Sequence, residues 1–228
     1  MTTLTLDGLG RLLTERFGGL LRHGAHTEHS GAVCVRELRA CALGMRWTDR
    51  PDSGWEQCGT DNLGSLLNDL PWPSDEARTQ ACLPLALLSE AEAAKDWLAR
   101  LFDRIASDLL PRAIRLVSSR VRQDVQVKLL ALAARCESEG LLAVEDVRLA
   151  CEDWSRVVSA QEGDDLRGLA LAVKNTLVSC GGYYSSWIVR RALESLVLAA
   201  KRFDDGNTAM LDLLRYAVKT VLACHRGL

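Results

Sequence analysis

Apolar residues recur at helical spacing along most of the chain. Leu9, Leu12, Leu13 and Leu20 fall at i, i+3, i+4 and i+11 and predict a first helix over 6–21, weakened by Gly8, Gly10, Gly18 and Gly19. Residues 32–43 and 62–70 read as the next two helices, the second of them stopped by Pro71. Ser74, followed by Asp75 and Glu76, is a helix start, because its hydroxyl can accept an orphan N–H and the acids favour the positive end of the helix dipole. That helix runs to about residue 88, with Pro84 interrupting it. Ser89 with Glu92 forms a capping box for a helix over 90–109, and Pro111 opens another toward residue 122. Further helices are predicted over 125–137, 144–159, 166–179, 186–203 and 208–225. Gly140, residues 161–165, Gly181 with Gly182, and residues 204–206 punctuate them.

Windows that alternate apolar with polar residues are scarce. The expected fold class is therefore all-α: a compact multi-helix bundle of about ten helices with no parallel sheet. An N-terminal helical domain over 1–140 and a C-terminal bundle over 141–228 are expected to meet near Gly140. The last two helices predict an antiparallel hairpin, in which Val189, Leu193, Leu196 and Ala200 face Met210, Leu214, Ala217 and Val221. No repeat of fixed period is present, so a solenoid is not supported.

Composition narrows the partners. The 228 residues carry 28 basic and 30 acidic side chains, a net charge of -2, which argues against a general nucleic-acid binder or a polybasic membrane anchor. The longest apolar stretch, 188–200, is interrupted by Arg190, Arg191 and Glu194 and falls far short of the roughly 20 apolar residues that a bilayer crossing needs. The eight cysteines are dispersed and no export signal opens the chain, so reduced thiols in a cytoplasm are expected. No Gly-rich phosphate loop is present, and no cofactor is expected.

Candidate chemistry is concentrated between His23 and Cys41, where His23, His26, His29, Cys34, Glu37 and Cys41 lie within 19 residues. On a helix over 32–43, Cys34, Glu37 and Cys41 share a face, and Cys34 occupies the first turn, where the helix dipole and a nearby imidazolium would favour a thiolate. That arrangement suits a nucleophilic Cys34, with His26 as base and Glu37 or Asp49 as the group that orients it. The same thiolate and imidazole at Cys34 and His26 could bind zinc, but no Cys-x-x-Cys pair or familiar histidine clip supports a metal site. The structural alternative makes Cys34 and Cys41 core thiols. Trp47 then plugs the core, Asp49 caps a turn, Pro51 fixes the loop and Asn68 bonds buried backbone.

These positions also carry a resemblance. His26 followed seven residues later by Cys34-Val35-Arg36-Glu37, then Trp47-Thr48-Asp49-Arg50-Pro51, Leu67-Asn68-Asp69, Leu83-Pro84-Leu85 and Trp97-Leu98-Ala99-Arg100, resembles an uncharacterised family of bacterial and phage proteins. The likeness covers about residues 20–110. It departs from the family pattern at Ala32, where the family's glycine stands, and at Arg50, where the family has a loop histidine. The resemblance implies no activity. The family's distribution suggests an accessory role in phage–bacterium conflict.

Two clusters outside this region are candidates for partner binding. Arg112, Arg115 and Arg122 fall at i, i+3 and i+10 and can line one side of a helix, where they would meet phosphates or an acidic partner, or pair with Glu90, Asp96, Asp103 or Asp108. Tyr183, Tyr184 and Trp187 with Arg190 and Arg191 form the second cluster, of the residue types on which protein interfaces anchor. The function expected from the sequence is a non-enzymatic helical protein–protein interaction module that binds a protein partner or a second copy of itself. A cysteine-dependent hydrolase or transferase, or a small zinc-binding protein, is the alternative.

Overall fold

A computed structural model describes residues 4–47, 60–88, 96–119, 121–154, 156, 167, 170 and 208–228. Among them every regular element is helical, and no helix is long and apolar enough to cross a membrane. The chain divides into two compact units, one formed by Met1–Lys95 with Val221–Leu228 and the other by Asp96–Thr220.

In the first unit, α1 (Leu6–Phe17) starts at Thr5, whose side chain accepts the Gly8 N–H, and stops at Gly18. Gly18 takes a left-handed φ of 69°, a conformation that glycine adopts without steric cost, and its N–H closes on the Leu13 carbonyl. The helix is thus shorter than the predicted 6–21, although Leu21 is still fully buried beside Leu9, Leu13 and Phe17. α2 (Val35–Ala42) packs on α1, on α3 (Thr60–Asn68) and on a 3-10 turn (Leu83–Leu87) that continues α4 (Asp75–Cys82). The predicted cap holds, with Ser74 Oγ accepting from the Ala77 N–H at 3.2 Å. Pro84 explains why the α-helix gives way to the tighter turn, since proline has no N–H to continue the ladder.

The second unit contains α5 (Trp97–Arg104), a π-helical segment (Ile105–Leu109), α6 (Leu110–Ser118), α7 (Gln123–Glu139), α8 (Leu141–Trp154) and the first part of α9 (Thr208–His225). The sequence predicts a helix ending near residue 109 and a new one opening at Pro111. Instead the chain passes through without a break. Pro111 cannot donate and its ring would crowd the Ser107 carbonyl, and the helix widens to accommodate it, the Leu110 N–H reaching back to the Ile105 carbonyl. Leu101, Phe102, Ile105, Leu109, Leu110 and Ile114 form a continuous buried stripe along this composite rod. Gly140, expected at a domain boundary, is the turn between α7 and α8, which pack on one another within the second unit. α9 has the predicted bounds, with Leu214, Ala217 and Val221 buried; the predicted helix over 166–179 apart from Arg167 and Ala170, the helix over 186–203, the rest of the hairpin and the Ser89 capping box lie outside the described residues.

Candidate functional site

Cys34, Glu37, His26 and Trp47 come together, but around a backbone segment and not around the thiol. Cys34 is the N-cap of α2, one position before the helix, where the sequence placed it inside the first turn. Glu37, at the third helical position, reaches back in a capping box and accepts the Cys34 N–H at 2.8 Å. The Glu37 side chain is fully buried and its two oxygens have further donors. Oε1 accepts the His26 N–H at 2.6 Å, and Oε2 lies 2.9 Å from His26 Nδ1, which carries the proton in a bond to a carboxylate. Trp47 Nε1 donates to the His26 carbonyl at 2.8 Å. His26 is therefore held at its N–H, its carbonyl and its ring.

The neighbouring residues of the loop are fixed in the same way from α3 and α4. The Gly24 N–H donates to Asp69 Oδ1 at 2.9 Å, Asn68 Nδ2 donates to the Arg22 carbonyl at 2.8 Å, and the Leu21 N–H donates to Thr79 Oγ1 at 2.8 Å. Arg22 also bonds Val33 through the backbone and pairs with Asp75 through its guanidinium. Gly24 sits at φ 82°, so a side chain there would be strained whatever the space around it. Asn68 is fully buried and also gives its backbone carbonyl to Arg78 Nε at 2.9 Å. Burial lowers the Arg78 pKa, and Asp75 pairs with its guanidinium. Four of the residues that carried the family resemblance, Glu37, Trp47, Asn68 and Asp69, thus act on one loop, residues 21–27.

Cys34 itself does not have the surroundings of a nucleophile. Its side chain is buried, its thiol meets no imidazole, and its pKa is pushed up to about 12, first by desolvation and then by the adjacent Glu37 charge. Glu37 does bond the imidazole it was expected to orient, but its charge also opposes a thiolate at Cys34. Trp47, expected to plug the core, is half-buried, with its ring 5.8 Å from that of Phe17 and tilted by 44°. Asp49, Arg50 and Pro51 lie outside the described residues, as do Tyr183, Tyr184, Trp187, Arg190 and Arg191. Among the described residues no group of three or more His, Cys, Asp or Glu side chains is arranged to hold a metal ion.

The arginine face is largely engaged by acids other than those expected. Arg115 forks onto Glu137 of α7 at 2.6 and 2.8 Å, lowering the Glu137 pKa, and Arg122 pairs with Asp124 at 2.9 Å. Asp96 and Asp108 instead bind Arg100 and Arg104 along their own helix. Arg112 differs, its guanidinium carbon lying 3.8 Å from the centre of the Tyr216 ring. No family model, curated protein or solved structure matches the chain.

The buried thiols give a pH dependence. The Cys34 and Cys151 pKa values are pushed up from an ordinary 9.0 to about 12, so above pH 9 the unfolded chain loses these protons while the folded chain keeps them. Protons held only by the native state make stability fall as pH rises, by up to about 1.4 kcal/mol per pH unit for each thiol. Their stabilisation is complete below the unfolded value and is lost by the time the folded value is passed. Denaturant titrations between about pH 8 and 10 should show this decline, with a shallower slope in Cys34→Ala and in Cys151→Ala.

Proposed function

We propose that the protein is a non-enzymatic, cytoplasmic helical module that works by binding another protein. The observation that carries this reading is the commitment of the Cys34, Glu37, His26 and Trp47 cluster to its own backbone, with the thiol buried and protonated. Such a cluster holds a loop in one conformation and leaves no activated sulfur for acyl or group transfer.

Alkylation of the folded chain tests the reading against the cysteine-enzyme alternative. Iodoacetamide near neutral pH should modify the half-buried Cys41 well before the buried Cys34, with each site followed by peptide mass spectrometry. Cross-linking in the native host should then capture the same partner with the wild type and with Cys34→Ala. Preferential labelling of Cys34, or a turnover that Cys34→Ala abolishes without changing Tm, contradicts the reading.

A further inference from the structure

In the second unit, side chains of α6 and α9 border a groove of about 270 Å³, lined among the described residues by Arg112, Arg115, Leu116, Asp212 and Leu213. Leu213 is buried and Leu116 half-buried, so the floor is apolar, while the charged residues are exposed on the rim. Those charges are not equally engaged. Arg115 is occupied by its fork onto Glu137. Arg112 stacks on Tyr216 at 3.8 Å, and its N–H groups meet no acceptor among the described residues. Asp212, on the same groove, makes no ion pair among the described residues either. A guanidinium whose face rests on an aromatic ring keeps its N–H edge available in a restricted orientation, and that edge matches a carboxylate in two parallel hydrogen bonds.

We propose that this groove docks an acidic and apolar segment of a partner protein. One large apolar side chain seats over Leu116 and Leu213, and a neighbouring carboxylate is gripped by Arg112. The inference rests on the interaction reading and gives that reading a site and a partner chemistry. Charge complementarity selects the occupant: among the described residues Arg112 is the rim cation not paired with a protein carboxylate, and Asp212 repels a second acid, so the segment is held in one register.

The test uses the full isotope-labelled chain and a capped tripeptide, N-acetyl-Glu-Leu-Phe-amide, with Gln and Lys counterparts in place of its Glu. On titration, the Leu116 and Leu213 methyl resonances and the Arg112 Nε–H resonance should move with the Glu peptide. Binding should be about tenfold weaker for the Gln peptide and for Arg112→Gln, the size expected for a lost charge-assisted pair, and weaker still for the Lys peptide. Leu116→Glu should abolish it, with far-UV circular dichroism confirming that both variants stay folded. Equal binding of the three peptides, shifts confined to other surfaces, or no shift overturns the proposal. So does self-association through the groove that Arg112→Gln abolishes, which would make a second copy the occupant. A partner cross-linked in the host equally by wild type and Arg112→Gln overturns the groove and leaves the interaction reading standing. Failure of the wild type to capture any partner counts against that broader reading, whatever the peptides show.

Discussion

Replacing Glu37 by alanine is expected to destabilise the protein by about 3 to 5 kcal/mol, because it leaves three donors around a buried carboxylate without their acceptor. Three donors would be orphaned together: the Cys34 N–H, the His26 N–H and His26 Nδ1. Two of them are backbone groups that cannot rotate away, and the side chain that joins them is fully buried, so water cannot replace it without opening the loop. Glu37→Gln keeps one acceptor oxygen and nearly the same shape, and should cost less, about 1.5 to 3 kcal/mol. Chemical denaturation followed by circular dichroism measures both. A cost under about 1 kcal/mol for Glu37→Ala would mean that the loop is held by something else.

The second large effect is expected in the other unit. Phe102→Ala should cost about 3 to 5 kcal/mol, because Phe102 is 1% exposed and lies on the stripe that α5, the π-helical segment and α6 bury together. Truncation removes a ring from a close-packed interior and leaves a cavity that the composite rod cannot readily close, since fully buried Leu101 and Ile105 flank the site on the same helix. Phe102→Leu retains most of the volume and should cost much less. The measurement is again the denaturation midpoint at unchanged slope. Near-equality of the alanine and leucine variants would show that the site relaxes freely.

The helical class was legible because periodic leucines and N-caps act locally: Thr208–His225 has the predicted bounds, and Ser74 caps α4 as its side chain demands. Boundaries that depend on longer-range partners were not legible. α2 starts after Cys34, because the Glu37 carboxylate closes a capping box on the Cys34 N–H and also holds residue 26, eleven positions away, a second contact no helical spacing encodes. The passage through Pro111 was missed for a related reason: proline predicts a break, and whether a widened turn absorbs it depends on the packing on either side.

For the site, the sequence grouped His26, Cys34 and Glu37 without showing how main chain joins them. The three meet at the Glu37 carboxylate, which accepts two main-chain N–H groups as well as bonding the His26 ring. Backbone acceptors and donors leave no mark in a motif, so residues that fix a loop and residues that catalyse look alike until the hydrogen bonds are traced. Asp69 and Thr79 belong to the same arrangement. Asp69 was present in the Asn68-Asp69 pair, whereas Thr79 had no signal beyond its place on α4.

Amide hydrogen exchange at Gly24 and His26 tests most directly whether this cluster is a clamp on the loop. Both N–H groups are donated to side-chain carboxylates, Asp69 and Glu37, from a loop that is otherwise largely exposed at Ala25, Thr27 and Glu28. The account predicts slow exchange at both positions in the wild type and a loss of protection at His26 in Glu37→Gln of roughly tenfold or more, as one charge-assisted hydrogen bond is weakened. Exchange at His26 as fast in the wild type as at Thr27 and Glu28, or unchanged by Glu37→Gln, would contradict it.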